Sequence, residues 1–252
     1  MVDIHTHILP GLDDGAETME ETLEMLRLAE RSGTRTIAAT PHADPQYAFR
    51  PERVRALSAE AQRLAGEGIR IVHGCDFHLS YDNVEAALAD PAVFALNGKR
   101  YLLMELSDMI IFPNTGQLWS RLETAGLKII LTHPERNPLL RQRIGLIREW
   151  VEQGRLMQVT AQSLTGRFGP KAEQFSRQML NEGLVHFVAS DAHDVRGRPP
   201  RMDLAFEWLS DNYGTRLAEL LCVEFPAAAV EGRELDLSGF PPETKEIGRA
   251  HV

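Results

Sequence analysis

At 252 residues, with 43% hydrophobic and 25% charged side chains, the chain suits one barrel or two small domains around a large core. A net charge of −9 with no Lys/Arg-rich run argues against a nucleic-acid backbone as main partner. It leaves anionic substrates open, because bound metal can reverse the local sign. No run of about 18 apolar residues and no leader-like start is visible, so the expectation is a cytoplasmic protein that does not span a membrane.

The first apolar stretch, Val2 to Thr6, carries His5 and runs into His7. Residues two apart on a strand point to one face, so both imidazoles can share an ion. Taken alone, such a pair also describes ordinary core or surface histidines. Leu12-Asp13-Asp14-Gly15 reads as a turn, and by that pattern either aspartate is structural. A helix follows, with Met19, Leu23, Leu26 and Ala29 on one face and Gly33 as its stop. The strand Thr36 to Thr40 leads through Pro41 to His42. Val54, Leu57, Ala61 and Leu64 predict the next helix, closed by Gly66 and Gly68. Strands at Ile69 to Val72 and Tyr101 to Met104 precede Asp76 and Glu105. A carboxylate there is costly to bury unpaired, and a metal or an arginine is its natural partner.

Helices are expected over Asp82 to Asp90 and Gln117 to Ala125. Lys128 to Thr132 precedes His133-Pro134. A helix over Arg141 to Gln153, a strand over Leu156 to Thr160 and a helix over Lys171 to Asn181 come next. The last strand, His186 to Ser190, ends in Asp191-Ala192-His193, a second i, i+2 pair. Met202 to Asn212 and a short segment near Leu217 read as helices, and Phe240 to Val252 as a frayed polar tail. The count is seven βα units in one domain, 1–252. The strands are continuous apolar runs, which fits a parallel sheet covered on both faces. Ligand-type residues at six strand ends favour a closed barrel with its site at the strand C-termini over an open doubly wound sheet.

His5, His7, Asp14, His42, Asp76, Glu105, His133, Asp191 and His193 exceed what one ion needs. Two or three ions with bridging carboxylates fit better. Nitrogen and oxygen donors without thiolate suit manganese, iron or zinc in a reactive rather than structural site. His73, His78, His186 and His251 take ordinary roles, with His78 a candidate for the site mouth. Arg136 and Arg198 follow ligand-type residues closely, and guanidinium forks match phosphate oxygens. The competing reading for both is loop salt bridging, to Glu135 or Asp194. Arg196 and Arg201 read as surface residues. Neither Cys75 nor Cys222 has an arginine six positions on, where Tyr81 and Ala228 stand, so the cysteine-phosphatase loop is absent and both thiols read as small buried hydrophobes.

The ordered set Asp3-Ile4-His5-Thr6-His7-Ile8-Leu9-Pro10-Gly11-Leu12-Asp13-Asp14-Gly15, Thr40-Pro41-His42, Thr132-His133-Pro134-Glu135-Arg136, Ser163-Leu164-Thr165-Gly166 and Ser190-Asp191-Ala192-His193 through Gly197-Arg198-Pro199-Pro200 resembles the PHP superfamily. More narrowly, it resembles the bacterial tyrosine-protein phosphatases of the CpsB/CapC type, found with capsule and exopolysaccharide genes. The resemblance implies a distorted (β/α)7 barrel, a trinuclear site and Mn-dependent removal of phosphate from a bacterial tyrosine autokinase. It makes Asp14, and not Asp13, a ligand, and places Arg136 and Arg198 where phosphate binds. At position 76 the resemblance leads one to expect Glu, and the shorter Asp puts third-site occupancy in question. The implied chemistry is attack of a metal-activated water on phosphorus, with the arginines on the equatorial oxygens and His42 available as a proton donor. Loops Ala43 to Pro51, with Tyr47 and Phe49, and Asp108 to Asn114 are candidates for the rim, with packing an equal reading for the two aromatics. The nearest alternative is a small-molecule phosphoesterase of the histidinol-phosphate or nucleotide kind. An amidohydrolase-like enzyme and a metal-stabilised scaffold are the other classes, and a homo-oligomer is compatible with all of them.

Overall fold

The computed structural model describes residues 1–242. Its order is β1 (Val2–Thr6), α1 (Met19–Arg31), β2 (Thr36–Ala39), β3 (His42–Ala43), α2 (Pro51–Ala65), β4 (Arg70–His73), β5 (Asp76–His78), α3 (Tyr81–Ala89), α4 (Pro91–Phe94) and β6 (Tyr101–Glu105). It continues through α5 (Thr115–Thr124), β7 (Lys128–Thr132), α6 (Ile144–Glu152), β8 (Leu156–Thr160), α7 (Ala161–Leu164), α8 (Pro170–Asn181), β9 (Phe187–Ala189), α9 (Asp203–Tyr213), α10 (Thr215–Glu219) and α11 (Phe225–Val230). Every strand pairing is parallel, in one sheet of order β1-β2-β4 and another of order β3-β5-β6-β7-β8-β9. Most strands are buried along their length, β1, β8 and β9 at every residue, as continuous apolar runs between helices require.

Where seven strands are expected, the structure has nine strand segments. Pro41 has no N–H to give and separates β2 from β3; Gly74 and Cys75 separate β4 from β5. The ladder carries across these breaks, since Gly74 N–H donates to Ala39 O (2.9 Å) and Asp76 N–H to Pro41 O (3.1 Å). Beyond β9, Asp191 N–H donates to His5 O (2.9 Å) and His7 N–H to Ala192 O (2.8 Å), bringing the chain back beside β1.

Two helix faces are broader than expected, with polar residues drawn into the core. In α1 the expected face holds, with Leu26 and Ala29 buried and Met19 and Leu23 packed at the core edge, and it widens to take in Thr22 and Met25. Thr22 is tolerated inside because its hydroxyl donates to Ile8 O (2.6 Å). In α2 the buried residues are Val54, Ser58 and Ala61, and Leu64 is exposed. The Arg141 to Gln153 helix begins later, at Ile144, because Asn137 Oδ1 accepts from Leu139 and Leu140 N–H and sets a separate 3₁₀ turn. The short helices α4, α7 and α11 carried no sequence signal long enough to read. Phe240, assigned to the tail, packs on His186 and Phe225; His251 and the rest of 243–252 lie outside the described residues. Among the described residues, no helix is long and apolar enough to cross a membrane.

Candidate metal centre

His7 follows β1, His42 opens β3, Asp76 opens β5, Glu105 closes β6, His133 follows β7, and Asp191 and His193 follow β9. With His5 in β1 and Asp14 in the next loop, the nine residues converge. His5 Nε2 lies 3.2 Å from His7 Nε2 and 3.5 Å from both Asp76 Oδ2 and Asp191 Oδ1. His42 reaches two carboxylates, through Nδ1 to Asp76 Oδ2 (3.2 Å) and through Nε2 to Asp14 Oδ1 (3.4 Å). His193 Nε2 lies 3.3 Å from the same Asp14 oxygen, and His133 Nε2 lies 3.7 Å from Glu105 Oε1.

Three overlapping groups have donor atoms close enough to hold an ion: His7, Asp14, His42 and His193; His5, His7 and Asp76; His42, Asp76 and Glu105. His133 and Asp191 flank them. Two ligands about 2.0–2.1 Å from a tetrahedral ion sit about 3.3 Å apart, which is the spacing of the close pairs here. Both Asp76 oxygens, His42 Nδ1 and His193 Nε2 are buried without a hydrogen-bond partner. Such orphaned donor atoms facing one another are costly unless a cation lies between them. Asp76, though shorter than Glu, belongs to two of the groups, and its N–H joins the ladder at Pro41 O.

The charges are tightly interlocked. Burial opposes protonation of His5, yet Asp76 and Asp191 outweigh it and raise that imidazole to about 9. His42 is likewise raised to about 12 against its burial by Asp14 and Asp76. Hydrogen bonding from His193 and His42 lowers Asp14, whereas burial and the nearby Asp76 raise Glu105. Burial, reinforced by Arg136, lowers His133 to about 3, so it stands neutral with its nitrogen free to donate a lone pair.

Several residues support the donors from behind, of which Gln158 and Asn137 carried no sequence signal. Asp13 Oδ2 accepts from His7 Nδ1 (2.6 Å) and from His42 N–H (3.1 Å), aiming His7 Nε2 inward. Gln158, fully buried in β8, does the same for His5 Nδ1 (2.8 Å). Asn137 Nδ2 donates to Leu106 O and Ser107 O, tying the exit of β6 to that of β7. Buried Glu135 accepts from Thr160 N–H (3.0 Å) and the Ser163 hydroxyl (2.7 Å), which anchors α7 beside Arg136. His133 (φ 33°) and Asp191 (φ 52°) occupy the left-handed region, a strain that the surrounding contacts hold in place.

Arg136 and Arg198 are three-quarters buried and both pair with Asp191 Oδ2, not with Glu135 or Asp194. Asp191 thus presents Oδ1 to the histidines and Oδ2 to the arginines. Arg201 pairs with Asp203. Tyr47 stacks on His42 with ring centroids 5.9 Å apart, while Phe49 stacks on Phe94 in the core, so the two aromatics divide between rim and packing. His78 faces Glu105 at 3.7 Å. In loop 107–114, Met109, Ile110 and Phe112 are exposed. Both cysteines are buried, and burial beside Asp76 pushes the Cys75 thiol well above its usual range, the opposite of a nucleophilic cysteine.

Residues 1–231 match the family model for capsular polysaccharide synthesis, CpsB/CapC. Tyrosine-protein phosphatase YwqE of Bacillus subtilis (strain 168) is 37% identical over 225 residues, covering 88% of each chain. Tyrosine-protein phosphatase CpsB of Streptococcus pneumoniae is 29% identical over 235 residues, 90% of this chain and 96% of its own. A solved structure from work on YwqE and CpsB, described there as unique metal-dependent tyrosine phosphatases, superposes with a TM-score of 0.87 at 32% identity, over 94% of this chain and 96% of that one. With the family model covering nearly the whole described chain, the protein belongs to the CpsB/CapC family.

Proposed function

We propose that the chain is a metal-dependent protein-tyrosine phosphatase acting on a phosphotyrosine-bearing protein, a bacterial tyrosine autokinase of capsule or exopolysaccharide synthesis. The observation that carries this reading is the junction at Asp191, where a cluster of nitrogen and oxygen donors meets two arginines. Family membership and the phosphatase names of its relatives support it. His5, His7, Asp14, His42, Asp76, Glu105, His133, Asp191 and His193 would hold two to three ions, manganese first and iron or zinc as alternatives. Bound ions supply Lewis acidity and an activated water. Arg136 and Arg198 bind the phosphoryl oxygens and offset charge that builds on them. His42, with each nitrogen facing a carboxylate, belongs to the donor cluster and is also the side chain available to protonate the leaving group. A tyrosine phenolate, with a pKa of about 10, leaves without a strong acid.

The accompanying fold is a distorted (β/α)7 barrel in one domain. It counts β2 with β3 and β4 with β5 as single strands and takes the hydrogen bonds between the β9 exit and β1 as closure. Asp14, with 48% of its side chain exposed, marks an open edge suited to a tyrosine on a protein. The compartment that fits is the cytoplasm. The test is phosphate release from a phosphotyrosyl peptide, a phosphoseryl peptide and histidinol phosphate, with Mn²⁺ and with chelator. Turnover of the phosphotyrosyl peptide that chelator abolishes and Cys75→Ala spares is expected. Preference for histidinol phosphate would overturn the protein substrate, and activity lost in Cys75→Ala would overturn the metal mechanism.

A further inference from the structure

We infer that loop 165–169 is the positioning element of the arginine pair, with Phe168 as the aromatic floor beneath both guanidiniums. The inference rests on the phosphatase reading only in taking Arg136 and Arg198 as the phosphate-binding groups. Two guanidiniums converge on one carboxylate oxygen, Asp191 Oδ2. Two cations on one anion leave a net positive charge for an incoming dianion, but they also repel each other. The ring of Phe168 lies on both, with Arg136 Cζ 4.4 Å and Arg198 Cζ 5.7 Å from its centroid. An aromatic face is negative and attracts each guanidinium without competing for the N–H groups that a phosphate needs. Phe168 is half-buried and belongs to neither hydrophobic core cluster, so core packing does not account for it.

The same loop grips the backbone that carries Arg198. Arg167 donates through Nε to Gly197 O (2.8 Å) and through Nη2 to Arg196 O (3.0 Å). From the other side the Asp194 carboxylate accepts the N–H groups of Arg196, Gly197 and Arg198. Loop 165–169 is itself fixed. Gly166 (φ 79°) and Gly169 (φ 86°) make its two left-handed turns, and it leaves α7, whose Ser163 bonds Glu135, the residue before Arg136. Arg136 is therefore reached both along its own chain and through the ring, and Arg198 both through the carbonyls of Gly197 and Arg196 before it and through the ring.

The experiment is calorimetric titration of the metal-loaded full chain with inorganic phosphate, beside kinetics on a phosphotyrosyl peptide and measurement of bound metal. Phe168→Leu is expected to weaken phosphate binding and kcat/KM by about tenfold at unchanged metal content. Phe168→Tyr, which keeps the ring, should stay within about twofold of the natural protein. Arg167→Gln, at an exposed position where the fold is not at stake, should weaken phosphate binding by about threefold. Unchanged phosphate affinity in Phe168→Leu and Arg167→Gln, a Tyr variant as weak as the Leu one, a loss that tracks lost metal, or no phosphate binding by the natural protein would each overturn the inference. Phosphate binding that falls in Phe168→Leu while no phosphotyrosine is turned over would sustain it and overturn the phosphatase reading instead.

Discussion

Asp13 shows how one side chain can matter to a metal site without touching the metal. Its Oδ2 takes the Nδ1 proton of His7 and the N–H of His42, and its Oδ1 takes the N–H of Gly15. These bonds fix which His7 nitrogen faces the cluster, a task such partners perform at many metal sites. Asp13→Ala is expected to lower metal affinity by about 10- to 100-fold while leaving all nine donor residues in place. Competition with a chelating dye reads this directly, and unchanged affinity would remove Asp13 from the support of the site. Far from the cluster, His186 sets a pH dependence of stability. Burial lowers its imidazole to about 4, and Nδ1 accepts from Met157 N–H (3.2 Å). Its folded state prefers the neutral ring, so the stabilisation is full above the unfolded value of 6.5 and is lost as pH falls from there toward 4. Between pH 7 and pH 5 the loss is about 2 kcal/mol. His186→Gln keeps an acceptor but no titration, so its Tm should fall several degrees less over that interval; an equal fall would rule His186 out.

At the scale of elements, the interrupted strands and the turn after β1 decide where donors meet. Pro41 and the Gly74-Cys75 break let β3 and β5 start afresh with His42 and Asp76 opposite each other in register. The turn at 11–16 folds back on His7 so closely that a Cβ on Gly15 would lie 1.9 Å from His7 O. Gly15→Ala must therefore displace backbone, and with it Asp13 and Asp14. The expected result is a loss of about 1–3 kcal/mol in stability together with weaker metal binding. Denaturant melts and metal titration on the same sample check it; a stable variant with full metal affinity would show that the turn can rebuild without cost.

Across the whole molecule, four carboxylates, all but Asp14 buried or half-buried, and five imidazoles gather at one end in a cluster that a cation would stabilise. Without an ion, the histidines and carboxylates offset one another only in part, and the orphaned oxygens of Asp76 keep their desolvation cost. An ion that binds only the folded chain stabilises it by about 2.7 kcal/mol at a hundred times its Kd. For a chain of this length that corresponds to a Tm higher by roughly 5–10 °C. Scanning calorimetry with Mn²⁺ and with chelator measures the gap, and coincident melting curves would argue that the cluster takes no ion.

The sequence by itself supplied grounds for the parallel class and for nine candidate donors, eight from the strand-end pattern and Asp14 from the family resemblance. A short apolar run ending in His, Asp or Glu is a local pattern, and its repetition along the chain is visible without coordinates. It also placed the two arginines, although their partner Asp191 was not among the acids expected to pair with them. The rest depends on segments distant in sequence. Gln158 behind His5, Glu135 under Ser163 and Phe168 beneath two guanidiniums are ordinary residues until β8, α7 and loop 165–169 are folded against β1 and β9. The buried face of α1 is broader than its apolar stripe for a related reason. Periodicity marks an apolar stripe, but the backbone carbonyl of Ile8 that draws Thr22 inside is supplied by another segment. Candidate ligands are legible in the chain because metals select residue types; their orientation is decided only in the tertiary structure, because groups that aim them, such as Gln158 behind His5, come from distant segments.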